Sequence, residues 1–498
     1  MRAERGLGAT VAADPFFFRA DGARLFLSRY VVVAPEGLGL AVDPHGVGSV
    51  ATVREGGREV LRVEAHDVPA HVREPGQPPI GEFLPHVQVG LGGDLAEVQA
   101  DLADAFAPAT RSTEELRALA RDIRREAGPG ASPAALARAA WTRVAREILG
   151  SGGEESGQAS ETLSRGRGGR LLVLQAVLGE LGIRSRIALA RPYGADATPR
   201  RFATHGAWSH ALLRIEAGGE TIWHDPTWRV APLGTLPSSV LGVEALVLAA
   251  PGEPLEVART PERPIEEDRR EVAVSVTLRP DGGATASGEE RYTGASAAAA
   301  KAAIERLDRS DRRQVIEGML ARTFRGIALS QAEILGEDDP AAPVTLRWRG
   351  EVSGLARVAE AGLALDAPLL PARLAPRLAQ LAARTTTLLL PAPDLTVQRV
   401  AIAVPEGFAP SAGPAAHVEA PWGDFVRTER VEGRTLVREE RIELRRGRVP
   451  PDRYPELTTF AAAVDQVQQR PATFLRTPAG SGVAPVPAGS PVPPTPRP

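Results

Sequence analysis

The fold of the central part of this chain is decided by the stretch Gly206-Ala-Trp-Ser-His-Ala-Leu-Leu-Arg-Ile-Glu-Ala-Gly-Gly-Glu-Thr-Ile-Trp-His-Asp-Pro-Thr-Trp228. Gly218 and Gly219 stand between two β-rich runs, and a pair of glycines favours the two-residue turn with positive φ that connects antiparallel strands. We therefore predict a β-hairpin whose strands cover residues 207–216 and 220–228.

The predicted hairpin brings a histidine and an aspartate together. With the two glycines at the centre of the turn, His210 lies opposite Thr227, and Asp225 is the diagonal neighbour of His210, about 7–8 Å away at the backbone. Trp208 and Trp223 fall on the same face. A carboxylate that orients an imidazole forms the base half of a nucleophilic triad, but the chain contains no cysteine that could supply a thiol nucleophile.

The overall composition is that of a folded globular protein. Its 498 residues suggest about three domains, and contents of 43% hydrophobic and 24% charged residues are near the average for folded domains. A formal net charge of −3 gives no general attraction to nucleic acid, and the absence of cysteine excludes disulfides and thiolate metal sites. We therefore predict neither a nucleic-acid partner nor a cofactor.

No segment of the sequence predicts membrane insertion or export. No run approaches the roughly 18 apolar residues of a transmembrane helix, and the start, Met1 to Leu7, lacks the apolar stretch of a signal peptide. The chain as it stands is predicted to be cytoplasmic, without a membrane span. The alternative location, the periplasm or cell envelope, requires a start with a signal peptide further upstream.

Shifts in composition predict an α+β multidomain protein. A β-rich region precedes a proline-rich boundary, three helices come before the central hairpin, and a further hairpin with a helical pair at 295–307 and 311–324 follows. The predicted segments are a β-rich N-terminal domain at 1–92, a core at 93–250, a linker at 251–264, a β-rich C-terminal domain at 265–476 and a disordered Pro/Ala/Gly tail at 477–498.

A glycine-rich turn precedes the helix that leads towards the central hairpin. The turn is Leu163-Ser-Arg-Gly-Arg-Gly-Gly-Arg170, and the helix is predicted at residues 171–181. Because helix N-termini attract anions, Arg167 and Arg170 are candidate ligands for a carboxylate or a phosphate. The alternative is an ordinary loop with capping glycines, since the turn does not match a phosphate-loop motif.

Residues 161–248 resemble the transglutaminase-like superfamily, whose papain-like fold carries a cysteine at a helix start, a histidine on one strand and an aspartate on the next. The resemblance rests on Leu181-Gly182-Ile183, Trp208-Ser209-His210-Ala211 and Trp223-His224-Asp225-Pro226-Thr227. It implies that His210 is the base and Asp225 the orienting acid. The whole chain resembles bacterial members in which this core lies between a β-rich domain of unknown function and a C-terminal β-rich domain.

The nucleophile of that superfamily is missing from this chain. Where the family has Gly-Asp-Cys, this sequence has Gly166-Arg-Gly-Gly-Arg170. A cysteine is nucleophilic because a fraction of it is thiolate near neutral pH, whereas arginine and glycine offer no group that forms an acyl intermediate. Thioester chemistry is therefore excluded.

One hypothesis is that the chain is a catalytically inactive transglutaminase-like protein. It would act as a binding or assembly module for a peptide, a protein or an envelope glycan, because a fold can persist after its chemistry is lost. The binding cleft would lie beside His210 and be lined by Trp208, Trp223 and Trp228. Packing of these tryptophans in the core beneath the sheet is the alternative interpretation.

The second hypothesis is a hydrolase or acyl transferase in which a hydroxyl replaces the thiol. Ser164, just before the glycines of this turn, would be the nucleophile, with His210 and Asp225 activating it as in serine hydrolases. A metal site formed by His205, His210 and Asp225 would need a bend in the strand, because His205 and His210 have opposite parity. We therefore predict no metal at this site.

Overall fold

The computed structural model describes residues 12–149, 157–201, 203, 206, 208–249 and 253–477. Within these ranges the chain is an α+β protein with six β-sheets, in agreement with the predicted fold class. None of the helices in this part of the chain combines the length and apolarity needed to cross a membrane. The predicted tail beyond Thr477 lies outside the described residues, and so does His205.

Two small antiparallel sheets form the N-terminal part. Their strands are β1 Phe16–Phe17, β2 Leu25–Pro35, β3 Ala41–His45, β4 Ala51–Glu55, β5 Arg58–Val68 and β6 His86–Gly90. One sheet has the order β1-β6-β3 and the other β2-β5-β4. Alternate side chains point inward, so that Leu61 and Val63 of β5 pack with Phe18 and Val87 in a shared core.

Five helices follow this N-terminal part. They are α1 Leu95–Phe106, α2 Glu114–Ala127, α3 Pro133–Glu147, α4 Ala159–Arg165 and α5 Arg170–Glu180. Asp94 and Glu97 form a capping box at the start of α1, and the side chains of Thr113 and Ser132 cap α2 and α3. These caps supply acceptors for backbone N–H groups that have no partner within the helix.

Helix α4 departs from the sequence prediction, which treats Leu163–Arg165 as part of the glycine-rich turn. The helix continues through these residues and ends where Gly166 adopts a left-handed φ of 63°. Glycine stops a helix in this way because it has no Cβ to oppose positive φ. The turn is therefore reduced to residues 166–169.

An antiparallel five-stranded sheet packs against these helices. Its strands are β7 Arg184–Ala190, β8 His210–Ala217, β9 Glu220–His224, β10 Glu244–Val247 and β11 Glu256–Arg259, in the order β11-β10-β7-β8-β9. Leu213 and Ile215 of β8 point towards the helices, whereas Leu212 points to the opposite face and packs with Trp223. Both faces of this sheet are therefore buried.

Strand β11 corrects the predicted linker at 251–264. Glu256–Arg259 pairs with β10 as the edge strand of the five-stranded sheet. The prolines that suggested a linker, Pro254 and Pro261, flank the strand without interrupting it, and an edge strand tolerates prolines near its ends. The division of the chain into domains otherwise stays a prediction.

An eight-stranded sheet dominates the C-terminal part. Its strands are β12 Arg269–Leu278, β13 Ala284–Tyr292, β14 Ile327–Leu335, β15 Val344–Val352, β19 Asp394–Ala403, β21 Ala416–Ala420, β22 Gly423–Glu432 and β23 Thr435–Leu444. The order is β14-β15-β13-β12-β19-β23-β22-β21, and only β12 and β19 are parallel among its neighbouring strands. The predicted helical pair is present as α6 Gly294–Glu305 and α7 Arg312–Leu320.

Shorter elements complete the C-terminal part. They are β16 Arg357–Ala359, β17 Gly362–Leu365, β18 Leu388–Leu390, β20 Phe408–Pro410, β24 Gly447–Val449, β25 Ala472–Arg476, α8 Leu374–Leu378 and α9 Tyr454–Gln468. Helix α9 was not predicted from the sequence. It buries Leu457, Phe460 and Val464, spaced by three and four residues, against Phe425 of the large sheet.

Candidate functional site

The central hairpin has the predicted register. Leu213 of β8 pairs with His224 of β9, and the turn residues Gly218 and Gly219 have φ values of 66° and 91°. Positive φ at both central positions defines the type I′ turn that favours glycine. The strands are shorter than predicted, since β8 begins only at His210.

His210 and Asp225 form the hydrogen bond that this register predicts. Nε2 of His210 lies 2.9 Å from Oδ2 of Asp225. The Asp225 side chain is 1% exposed, whereas that of His210 is 29% exposed. The imidazole therefore reaches solvent while its carboxylate partner is held in the interior.

Backbone groups hold the Asp225 carboxylate in place. Its second oxygen, Oδ1, accepts the N–H of Thr227 at 2.8 Å, and the N–H of Asp225 itself donates to the carbonyl of Thr235 at 3.0 Å. Burial raises the pKa of Asp225, but the hydrogen bond and charge of His210 and the hydrogen bonds of Thr227 outweigh it, so the pKa lies below its ordinary value. An ionised carboxylate at this position orients the imidazole.

Arg170 occupies the first position of helix α5, directly after the N-cap Gly169. The residue is only 6% exposed. Its Nε donates to the carbonyl of Ile148 at 2.9 Å, and its Nη1 donates to the carbonyl of Thr227 at 3.2 Å. Because Thr227 also donates to Asp225, the helix start and the His–Asp pair belong to one hydrogen-bonded assembly. Desolvation lowers the pKa of Arg170 to about 10, which leaves the guanidinium protonated near neutral pH.

The glycine-rich turn has the geometry of the alternative interpretation, a loop with capping glycines. Gly166 caps α4, and its carbonyl accepts the N–H of Leu149 at 3.0 Å. Gly168 has a φ of 125° and lies so close to Thr162 that a Cβ would be 3.1 Å from its Cγ2 atom. Of the two predicted anion ligands, Arg167 is exposed, while the Arg170 guanidinium donates to protein carbonyl groups.

Ser164 lies in the last turn of α4 and is exposed. Its hydroxyl donates to the carbonyl of Ser160, one helical turn earlier, at 2.9 Å. This is the usual hydrogen bond of a serine within a helix. The Ser164 hydroxyl is therefore engaged within its own helix.

Trp208 and Trp223, which were predicted to line one cleft, pack on opposite faces of the five-stranded sheet. Trp223 is 8% exposed and packs on the face of Leu212, whereas Trp208 packs against the helix-side core. The predicted common face is wrong for Trp208, because β8 begins at His210 and the alternation of a strand does not extend to residue 208. Trp228 is partly buried beyond the end of β9.

A second histidine of the hairpin, His224, was not singled out from the sequence as a functional residue. It is fully buried, and its ring meets that of Trp141 edge-on with 4.3 Å between centroids. The N–H of Gly234 donates to Nδ1 of His224 at 3.3 Å, while Nε2 has no hydrogen-bond partner within the described ranges. Desolvation lowers the pKa of His224 to about 4, so this residue is neutral and belongs to the core beneath the site.

Comparisons with known proteins find a matching domain family and a similar solved structure. Residues 365–474 match a domain family described as a domain of unknown function with a solved structure, DUF3858. No curated protein sequence matches the chain. A crystal structure from Parabacteroides distasonis, of a protein provisionally described as a protease, has a similar fold with a TM-score of 0.57 and 13% sequence identity, covering 94% of this chain and 76% of the other. This likeness shows that the two chains share an overall fold.

Proposed function

We propose that this chain is a catalytically inactive transglutaminase-like protein that serves as a binding or assembly module for peptide or cell-envelope material. The observation that carries the proposal is the identity and bonding of Arg170 at the start of α5. In the transglutaminase-like family a cysteine at a helix start attacks the substrate, and the histidine acts as its base. Here the helix start carries Arg170, whose guanidinium donates to the carbonyl of Thr227, and the N–H of Thr227 donates to Asp225.

A guanidinium cannot replace the thiolate chemically. It stays protonated and therefore has no electron pair to donate to a carbonyl carbon. Its hydrogen bonds to the carbonyl groups of Ile148 and Thr227 hold the guanidinium in the interior of the protein. His210 remains partly exposed, and an imidazole at the surface suits contact with a polar ligand.

The alternative function is a hydrolase or acyl transferase that uses Ser164. The provisional description of the similar bacterial protein as a protease is the reason to test it. The hydrogen bond of Ser164 to Ser160 and its exposed position favour the inactive protein.

A labelling experiment separates the two functions. Wild-type protein and the variants Ser164→Ala and His210→Ala would be treated with a fluorophosphonate probe, with a serine protease as the positive control. We expect no labelling of any of the three chains. Labelling of the wild type that is lost in both variants would overturn the inactive function and support the hydrolase.

The binding role needs a separate measurement. Intrinsic tryptophan fluorescence would be followed during titration with soluble peptidoglycan fragments and, separately, with a tryptic digest of casein. We expect one of the two probes to change the emission in a saturable way and His210→Ala to weaken that binding about tenfold. The matched control is His66→Ala, since His66 is an exposed histidine on β5 of a different sheet. Absence of binding to both probes would contradict a role as a peptide or envelope module.

A further inference from the structure

A second hairpin, formed by β21 and β22, carries three potential metal ligands on one face. Strand β21 is an edge strand of the eight-stranded sheet. His417 and Glu419 are two residues apart on β21 and therefore point to the same side, while Val418 between them packs on the C-terminal core. Asp424 of β22 pairs directly with Glu419, so its side chain joins the same face.

The donor atoms of these side chains converge. Nε2 of His417 is 2.7 Å from Oδ1 of Asp424, and one potential ligand atom from each of the three residues lies within 4.8 Å of the others. Ligands at 2.0–2.2 Å from a tetrahedral zinc ion stand about 3.4 Å apart. Small rotations about side-chain bonds would bring all three atoms to that spacing, and the side chain of His417, 59% exposed, is free of the packing that would resist them.

The charges on this face favour a cation. Two carboxylates, Glu419 and Asp424, stand directly opposite each other in the strand pairing, and like charges in that position destabilise a strand pair. The neighbouring Arg441 lies 3.8 Å from Asp424 but 2.7 Å from Glu443. Its guanidinium therefore interacts more closely with Glu443 than with the carboxylate pair, and a cation between the pair would relieve the repulsion.

We propose that His417, Glu419 and Asp424 bind one divalent transition-metal ion of the zinc type. One imidazole and two carboxylates are ligands that zinc accepts, and an imidazole discriminates against magnesium and calcium, which prefer oxygen ligands. Three protein ligands leave a coordination position for water. The site lies on the outer face of the C-terminal sheet and is independent of the proposed function of the five-stranded sheet.

Metal titration of the purified chain tests this site. Zinc chloride would be titrated into untagged full-length protein in competition with a chromophoric chelator, because a histidine tag would itself bind zinc. We expect one zinc ion per chain, and a loss of affinity of at least tenfold in His417→Ala and in Asp424→Asn. Magnesium chloride is expected not to compete with zinc.

The control variant is His66→Ala. His66 is also exposed on a strand and lies 3.5 Å from the carboxylate of Glu64, so it offers an imidazole and one carboxylate without the converging third ligand. We expect this variant to bind zinc like the wild type. Circular dichroism would verify that every variant is folded. Absence of zinc binding in the wild type, or equal affinity in His417→Ala and the wild type, would overturn the proposal.

Replacement of Arg441, whose positive charge competes with a metal ion for Asp424, gives an independent test. If Arg441 draws Asp424 away from the metal, Arg441→Gln should tighten zinc binding several-fold, because it removes a positive charge 3.8 Å from a ligand carboxylate. Unchanged zinc affinity in this variant would contradict binding of the metal by Asp424.

Discussion

The guanidinium of Arg170 and the carbonyl oxygen of Thr227 are hydrogen-bonded at 3.2 Å, although 57 residues separate them in the sequence. This bond fastens the start of α5 to the segment that follows β9. Thr227 also holds the Asp225 carboxylate through its N–H, so the same residue contacts both the helix start and the acid of the His–Asp pair. Arg170 therefore links helix α5 to the residue that holds the acid of the pair.

Truncation of Arg170 should destabilise the five-stranded sheet and its helices. Arg170→Ala leaves the buried carbonyl group of Ile148 and the carbonyl group of Thr227 without this donor and opens a cavity. Together these effects are expected to lower the unfolding free energy by about 2–4 kcal/mol. Urea denaturation followed by tryptophan fluorescence would measure the change. Arg167→Ala is the matched control, because Arg167 is exposed in the same turn and should change the stability by less than about 0.5 kcal/mol. Equal stability of both variants would mean that the hydrogen bonds of Arg170 contribute nothing to the unfolding free energy.

The hairpin and its His–Asp contact could be predicted because local residues determine them. Gly218 and Gly219 fix the turn type, the turn type fixes the register, and the register places His210 beside Asp225. All of this information lies within about twenty residues of sequence. The same reasoning placed Trp208 on the wrong side, because the sequence does not indicate that β8 begins at His210.

The bonding of Arg170 could not be predicted in the same way. Its partners Ile148 and Thr227 are 22 and 57 residues away, and no periodicity reports such distant contacts. Arginine is also seldom fully buried unless it is paired, so the residue type gives no indication that Arg170 lies in the interior. The edge strand Glu256–Arg259 could not be predicted for a related reason. It forms because it pairs with β10, and this tertiary contact outweighs the local effect of the prolines on either side.

The buried His224 should make stability depend on pH between about 4 and 6.5. Its folded-state pKa of about 4 is below the value of about 6.5 in an unfolded chain, so the unfolded state binds more protons in this interval and stability rises with pH. The contribution reaches about 3 kcal/mol at neutral pH and is lost as the pH falls to about 4. Urea titrations at pH 4.5, 5.5 and 7 would measure it.

The comparison variant is His224→Asn, which keeps an acceptor near the N–H of Gly234 but has no group that titrates in this interval. We expect it to be less stable than the wild type at pH 7, because it leaves a cavity beside Trp141. The difference from the wild type should shrink as the pH falls towards 4.5. A constant difference at all three pH values would show that His224 does not remain neutral in the folded protein.

Glu74 forms a buried contact between the N-terminal and C-terminal parts of the chain. Its carboxylate accepts hydrogen bonds from the backbone N–H and the hydroxyl of both Thr385 and Thr386, and Nε of Arg384 lies 3.6 Å away. Burial raises the pKa of Glu74, but these hydrogen bonds outweigh burial and lower the pKa to about 2. A carboxylate held in this way contributes stability that is present above the unfolded-state pKa of about 4.3.

Replacing Glu74 with glutamine should therefore destabilise the chain in a pH-dependent manner. Glu74→Gln is expected to lower the unfolding free energy by about 3 kcal/mol at pH 7, which corresponds to the lowered pKa. The reason is that the NH₂ group of the glutamine would face N–H and hydroxyl donors of Thr385 and Thr386. The cost should diminish as the pH falls from about 4 to 2, where the wild-type carboxyl also becomes protonated. The control is Glu36→Gln, since the Glu36 side chain is 49% exposed and 3.8 Å from Arg54. Equal losses in the two variants at pH 7 would contradict a role of Glu74 in joining the two parts of the chain.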